Sequence, residues 1–219
     1  MFEYLMPSLW MKSYPNTILE QSMRAVVRCQ QEYGKRHQVP WGISEAACSD
    51  RDDDGHYQYR AFGLSDLALK RTLSTDIVVS PYASFLALTV DPPGVLSNLR
   101  LMEEMQWLDK FGFYESAHYT GTRIEPVPNV EVVRCWMAHH QGMTFSALCN
   151  FLTDSSLQRF FHSEPLVAAN ERLLHEKACK TVGVDFADEP KLQVAGPCKR
   201  EMEFSQVSAA GKARARFAS

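Results

Sequence analysis

The hydrophobic and polar positions along the 219-residue chain follow a mainly helical pattern. Apolar residues recur at intervals of three and four, which places them on one face of a helix. Strand-like alternation is scarce, and the β-branched run at 77–79 is too short to build a sheet. We predict helices at residues 17–33, 65–73, 95–108, 132–152 and 166–178, and a further helix that begins at Ser80-Pro81 and ends before Asp91.

Capping and helix-breaking residues support these boundaries. Thr17 and Glu20 have the spacing of a capping box at a helix start, and Gly34 is expected to end that helix. Helices joined by turns or polar loops indicate an all-α architecture. Beyond residue 178 the periodicity fades, so we expect one helical domain at 1–178 and a loosely ordered tail at 179–219.

Composition excludes several classes of protein. A 45% apolar content can fill a core, and the interspersed charges, with a net charge of −3, give no footprint for nucleic acid. No apolar run approaches the roughly 20 residues of a membrane span. The six cysteines form no C-x-x-C pair, so we expect reduced thiols, no structural metal and a cytoplasmic location. The first ten residues lack a basic leader and read as mid-domain sequence.

Two similar segments carry the most informative polar residues. Residues 41–47 and 111–117 share the order aromatic, Gly, two residues, Glu, small residue, Ala, with their carboxylates at Glu45 and Glu115. Both segments are predicted loops, so their carboxylates could open on one cleft. After Glu45 come acids at 50–54 and aromatic residues, a mixture that suits a polyhydroxylated ligand. A solvated loop with a few buried aromatic residues explains the same composition.

Two metal-site interpretations are weaker. The run Asp50-x-Asp52-x-Asp54-Gly55 matches the start of an EF-hand loop, but Ala61 stands where that loop needs a bidentate glutamate. An acidic turn is therefore favoured. The adjacent His139 and His140 point about 100° apart on a helix, so they do not chelate one ion easily. We expect histidines at the edge of the core and no metal or cofactor.

Glu45 and Glu115 together allow a third interpretation. Glycoside cleavage needs two carboxylates that flank the scissile bond, one protonated and one ionised. The protonated group needs a partly apolar setting, which Ile43 and Phe113 can provide. The competing interpretation is that both glutamates are surface charges, like most of the 26 acidic residues.

Longer motifs carry a resemblance to a known family. The matching segments are, in order, MFEYLMPSLW, YPNTILEQS, PWGISEAA, YQYRAFGL, LALKRTL, VVSPYASFLALTVDP, FGFYESAHYT and VVRCWMAHHQGMT. Together they resemble the glycoamylase-like domain of cyclic β-1,2-glucan synthases over about residues 1–176. The resemblance implies an (α/α)6 toroid that cuts linear β-1,2-glucan and closes it into rings. It also implies neighbouring domains of a larger, inner-membrane-associated synthase as partners.

The resemblance also assigns candidate site residues. The I-S-E motif implies that Glu45 is a catalytic carboxylate, and G-F-Y-E places Glu115 in the same cleft as a second carboxylate or substrate ligand. The Y-Q-Y-R and H-H-Q motifs, with the Trp-Gly turn, imply a set of substrate-binding residues: Trp41, Tyr57, Gln58, Tyr59, Arg60, His139, His140 and Gln141.

The family pattern includes helices and a further catalytic carboxylate ahead of the segment that begins at Met1. We therefore expect an incomplete (α/α)6 toroid built of helix hairpins, with an uncovered apolar flank that favours self-association. Two functions remain open. One is a β-1,2-glucan-acting glycoside hydrolase or transglycosylase domain fragment, and the other is an inactive remnant or sugar-binding module.

Overall fold

Helices and short strands alternate along the chain in the computed structural model, which describes residues 1–68, 76–120 and 129–177. The α-helices are Phe2–Leu5 (α1), Ile18–His37 (α2), Pro81–Phe85 (α3), Pro92–Glu104 (α4), Ala138–Leu152 (α5), Ser156–Phe161 (α6) and Pro165–Asn170 (α7). Short 3-10 turns occupy Met6–Leu9, Ser65–Leu67 and Glu171–His175. The predicted tail at 179–219 lies outside the described residues, as does most of the predicted helix at 65–73.

Seven strands accompany these helices in the described residues. They are Ala46–Arg51 (β1), Tyr57–Arg60 (β2), Ile77–Val79 (β3), Leu108–Asp109 (β4), Gly112–Phe113 (β5), Ser116–Thr120 (β6) and Asn129–Val133 (β7). They form three small antiparallel sheets, namely the β1–β2 pair, the β4–β5 pair and a three-stranded sheet in the order β3-β6-β7. The all-α expectation is therefore wrong. The described residues have a mixed α and β content and do not form a toroid of helix hairpins.

The three-stranded sheet contains two segments for which the sequence patterns predict no strand. The run at 77–79, judged too short for a sheet, pairs with β6, with Val78 opposite His118. The predicted helix at 132–152 begins only at Ala138, because its first residues belong to β7, where Val132 faces Ala117. Short β-branched segments gain strand structure from pairing with a neighbour, and that neighbour is remote in sequence.

Helix α2 confirms the capping box. The Thr17 side chain accepts a hydrogen bond from the Glu20 backbone N–H, and the Glu20 carboxylate accepts one from Asn16. The helix does not end at Gly34 but runs on to His37. Gly34 is needed for packing instead, because a Cβ there would lie 2.8 Å from the Val39 carbonyl oxygen.

A buried polar network fixes the segment that leads into β1. The Asn98 amide on α4 donates to the Trp41 carbonyl at 2.8 Å and accepts from the Trp41 N–H at 3.0 Å. Ser84 on α3 donates to the same carbonyl at 3.0 Å. Because buried polar groups need partners, this network holds the turn at Trp41 against two helices. Within the described residues, no helix is both long enough and apolar enough to cross a bilayer.

Candidate active site

Two glycine turns bring the predicted carboxylates together. Gly42 has φ +123° and Gly112 has φ +102°, a backbone region that L side chains rarely adopt. Each turn is followed by a glutamate and then by a strand, β1 after Glu45 and β6 after Glu115. The two strands contact each other, and the Ala47 N–H on β1 donates to Glu115 Oε1 at 3.2 Å. The two similar segments thus each contain a glycine with a positive φ and lead into strands that contact each other.

Glu115 is a buried carboxylate with a histidine partner. The residue is 2% exposed, and its Oε1 lies 2.8 Å from His140 Nδ1, which is equally buried. Its other oxygen, Oε2, is buried without a hydrogen-bond partner in the described structure. Because an ionised carboxylate accepts and does not donate, we assign the proton on this side of the ring to Nδ1. The other ring nitrogen of His140, Nε2, then faces the Tyr59 hydroxyl.

Tyr82 stacks against the imidazole ring of His140. Its ring stacks on that of His140, with 3.7 Å between the centroids and 12° between the planes. Its hydroxyl lies 2.9 Å from both the Glu45 carbonyl oxygen and Ser44 Oγ. Burial is the main cause that raises the pKa of Tyr82 above its ordinary value, so the phenol stays protonated. Tyr82 thereby connects His140 to the backbone of the Glu45 turn.

Tyr59 completes a chain between the two carboxylates. Its hydroxyl lies 3.3 Å from His140 Nε2 and 3.5 Å from His139 Nε2. Burial first, and then the negative charges of Glu45 and Glu115, raise the pKa of Tyr59. Short polar contacts therefore join Glu115 to His140 and His140 to Tyr59, and the charge of Glu45 also acts on the Tyr59 hydroxyl. We call these four residues the relay.

The β1–β2 hairpin carries three further predicted site residues. Arg60 forms an ion pair with Asp50 at 2.6 Å, and both side chains are 45% exposed. The Arg51 guanidinium lies 4.1 Å from the centre of the Tyr57 ring. Gln58 is half-buried, and its carbonyl accepts from the Cys48 thiol at 3.4 Å. These side chains lie on the strand that presents Tyr59 but outside the relay.

The remaining predicted residues are divided between the site and the core. Gln141 on α5 donates to the Phe113 carbonyl at 3.4 Å. His139 is exposed. Partial burial is the largest cause that lowers the pKa of His139 and the nearby His140 is the second, so His139 is neutral at pH 7. Trp41 is buried and lies away from the relay, beside a groove lined by Pro93 and Leu101.

Two cavities flank the relay. A small one of about 50 Å³ is lined by Glu45, Phe62 and Leu64. A larger one of about 180 Å³ is lined by Tyr82, Glu115, His140 and Gln141. The two carboxylates therefore face different openings, although the relay joins them.

Sequence reasoning missed Tyr82. It lies in an apolar run at 81–88 that reads as a core helix, and α3 is buried along its length. The available signal was the phenol itself, because a buried tyrosine hydroxyl requires a hydrogen-bond partner.

The acidic turn of β1–β2 does not resemble a metal site. Asp52 accepts hydrogen bonds from the backbone N–H groups of Asp54 and His56. Both bonds lower the pKa of Asp52, and the bond from His56 has the larger effect. Gly55 closes the turn with φ +82°. In the part of the chain that is described, no group of three or more His, Cys, Asp or Glu side chains is arranged to hold a metal ion.

Comparison with known proteins gives two findings. The glycoamylase family, described as putative glucoamylase, matches residues 1–165, which include the whole relay. The chain is also 42% identical over 184 residues to the cyclic beta-(1,2)-glucan synthase NdvB of Rhizobium meliloti (strain 1021). That alignment covers 84% of this chain and 6% of the synthase, so the chain spans a small part of the relative's length. Because the family model matches most of its length, the chain belongs to the glycoamylase family.

Proposed function

We propose that the chain forms a glycoside hydrolase or transglycosylase site that acts on β-1,2-linked glucan. The observation that carries the proposal is the relay, which links two carboxylates through a histidine and a tyrosine. The relation to a cyclic beta-(1,2)-glucan synthase supports the choice of linkage. Nothing in the proposed chemistry requires a metal or a cofactor.

Glu45 is the proposed catalytic carboxylate. Its side chain is only partly buried, it borders a cavity, and its negative charge is among the causes that raise the pKa of Tyr59. A carboxylate in this position can exchange a proton with a glycosidic oxygen or stabilise positive charge at the anomeric carbon.

Glu115 is proposed to act through His140 as a positioning residue. Its side chain is 1% exposed, so a sugar cannot reach it without displacement of the surrounding residues. It holds His140 Nδ1, while Tyr82 fixes the plane of the ring. His140 Nε2 then sets the direction in which the Tyr59 hydroxyl points. The order carboxylate, imidazole, hydroxyl follows the orienting logic of hydrolase triads.

The other predicted residues are proposed as substrate contacts. Tyr57, Gln58 and Arg60 lie on β2, and His139 and Gln141 lie in the first turn of α5, so they flank Tyr59 and His140 in the chain. Trp41 supports the Glu45 turn from the core side. These roles suit a sugar, whose hydroxyl groups need donors and acceptors around an apolar ring face.

A sugar-binding module without catalysis is the second candidate. The observation that favours it is the burial of Glu115, because this leaves Glu45 as the one member of the predicted pair that a ligand can reach. Such a module would still bind glucan through β2 and the start of α5.

We further propose that the domain works within a larger synthase, next to domains that supply linear glucan, and in the cytoplasm. The four described cysteines, Cys29, Cys48, Cys135 and Cys149, are all free thiols, which suits a reducing compartment.

Incubation with linear β-1,2-glucan tests the proposal. We expect shortened or cyclic products, and Glu45→Gln should lower turnover on the order of 10²- to 10⁴-fold. Glu115→Gln should lower kcat more than it raises KM and should change the pH profile, because the group that holds His140 Nδ1 loses its negative charge. Glu103→Gln, an exposed glutamate on α4, is the matched control. Glucan binding without turnover would establish the sugar-binding module, and neither binding nor turnover would refute both functions.

A further inference from the structure

Three aromatic side chains form an exposed cluster beside the site. The Trp136 ring centroid lies 5.6 Å from that of Phe111, at 86°, and 5.2 Å from that of Tyr114, at 37°. Phe111 is 66% exposed and Trp136 is 38% exposed. We call these three residues the aromatic platform. Contiguous exposed apolar patches often mark binding surfaces.

The platform is held in place by its neighbours. Tyr114 donates its backbone N–H to the Trp107 carbonyl at 2.9 Å, and Trp107 is fully buried. Partial burial first, and then the nearby Asp109 carboxylate, raise the pKa of Tyr114. Rings fixed in this way lose little conformational freedom when a ligand stacks on them.

The platform is continuous with the candidate active site. Tyr114 precedes Glu115 and lines the 180 Å³ cavity together with Glu115 and His140. Trp136 follows Cys135, whose carbonyl accepts the Glu115 N–H at 3.0 Å. A chain-like ligand that enters that cavity, on the Glu115 side of the relay, therefore passes over the platform, whereas Glu45 borders the other cavity.

Charged groups around the rings narrow the ligand class. The Arg134 guanidinium lies 5.8 Å from the centre of the Tyr114 ring, and the Lys110 ammonium lies 4.7 Å from that of Phe111. With Asp109, they give the platform a rim of donors and acceptors of both signs. A pyranose ring has apolar C–H faces and a periphery of hydroxyl groups, which matches aromatic faces inside a polar rim. Two cations and one nearby acid give too little positive charge to bind a phosphate backbone well.

We infer that Phe111, Tyr114 and Trp136 form a stacking subsite for a sugar unit of a glucan chain that extends from the proposed active site. This subsite rests on the proposed function. It differs from the residues already proposed as substrate contacts, because it lies on the β4–β5 pair and the β7–α5 connection rather than on β2.

Tryptophan fluorescence provides a specific test. Of the four tryptophans, Trp41 and Trp107 are buried, and Trp10 and Trp136 are 42% and 38% exposed. Titration with a glucooligosaccharide should change the emission in the wild type and in Trp10→Phe, but not in Trp136→Phe. By calorimetry, Trp136→Ala should weaken binding of long oligosaccharides by on the order of tenfold.

Matched controls separate the subsite from general effects. Trp10 pairs with Phe161 at 6.4 Å, so Trp10→Ala removes an equally exposed indole from another aromatic pair and should leave binding unchanged. Phe111→Ala removes a side chain that is mostly exposed, so it should weaken binding without unfolding the protein. Phe160→Ala, at 78% exposure on α6, is its control.

The outcomes distinguish the subsite from the proposed function. Trp136-dependent binding of β-1,3- or β-1,4-glucooligosaccharides, without binding of β-1,2-linked ones, would support the subsite and refute the proposed linkage. Binding of β-1,2-glucan that is unchanged in Trp136→Ala and Phe111→Ala would overturn the subsite alone, while a loss of turnover in Glu45→Gln would keep the function. No binding of any oligosaccharide, or a Trp136 response to single-stranded oligonucleotides instead, would overturn the subsite.

Discussion

At the scale of single residues, the burial of Glu115 is the feature that most needs a functional reason. Removing an ionised carboxylate from water costs several kcal/mol. Its attraction to a charged or polar partner offsets this cost only when the remaining lone pairs of the carboxylate also accept hydrogen bonds. Here Oε1 has two partners and Oε2 has none in the described structure. If only the unfolding free energy of the protein mattered, an apolar side chain at position 115 would be better than this carboxylate. Its presence therefore fits a role in orienting His140.

Cys135 reports on the charge of Glu115. Partial burial first, and then the Glu115 carboxylate, raise the pKa of the Cys135 thiol to about 11. At pH 8 only about one thiol in a thousand is then ionised, because each pH unit below the pKa lowers the ionised fraction tenfold. We expect slow alkylation of Cys135 by iodoacetamide at pH 8 and a steep rise as the pH approaches 11, measured by peptide mass spectrometry.

Glu115→Gln should accelerate the alkylation of Cys135, since loss of the negative charge lowers the thiol pKa. The reaction of Cys149, on the far part of α5, is the internal reference and should not change with that substitution. Equal acceleration of both thiols would mean that the variant has loosened the fold, and no acceleration would mean that Glu115 is uncharged.

The sequence named candidate site residues but not their arrangement. In the structure, Tyr59 lies close to His140, and the charge of Glu45 acts on the Tyr59 hydroxyl. Nothing in the two similar Gly-x-x-Glu segments shows which carboxylate is buried. That difference arises from the packing of β1 against β6, where Ala47 donates to Glu115. Such contacts join residues 68 positions apart and are invisible to local patterns.

At the scale of elements, the two glycine turns look alike but differ in their surroundings. A Cβ at Gly42 would meet Ser84 Oγ at 2.8 Å and the Ser80 carbonyl oxygen at 3.0 Å. A Cβ at Gly112 would meet only Gln141 Oε1, at 3.9 Å. Both turns carry the backbone penalty of a positive φ, but only the first adds a steric clash.

We predict that Gly112→Ala costs about 1–3 kcal/mol of unfolding free energy, the range for a strained backbone position. Gly42→Ala should cost more, because Ser84 must also shift away from the Trp41 carbonyl. Urea unfolding of both variants measures the difference. Gly55→Ala, at a positive φ with open space around it, is the control and should resemble Gly112→Ala. Equal losses at positions 42 and 112 would contradict the steric argument.

The same contrast between local and remote causes explains the outcome of the fold prediction. Helix α2 was predicted because its cap and its apolar face lie within one segment. The strands were missed because most have two to five residues, and β1 reads AACSDR, without alternation or β-branched residues. Such a segment becomes a strand only through its partners, here β2 and the neighbouring β6.

At the scale of the whole described structure, apolar surface is concentrated on the C-terminal helical elements. Five side chains there are each 73–78% exposed: Phe145, Leu152, Phe160, Leu166 and Leu173. Helices α5, α6 and α7 also carry few of the large fully buried side chains of the core. Contiguous apolar patches beyond about 600 Å² are unusual on soluble monomers and mark interfaces.

We predict that the purified chain self-associates through these helices. Sedimentation velocity should show a weight-average mass that increases with concentration, because burial of apolar surface favours association by about 25 cal/mol per Å². Phe160→Ser combined with Leu166→Ser should shift the distribution towards the monomer. Leu96→Ser combined with Leu101→Ser is the matched control on α4, where the two leucines are 47% and 42% exposed. A monomer at every concentration would show that these side chains tolerate water, and association that survives the first pair but not the second would place the interface on α4.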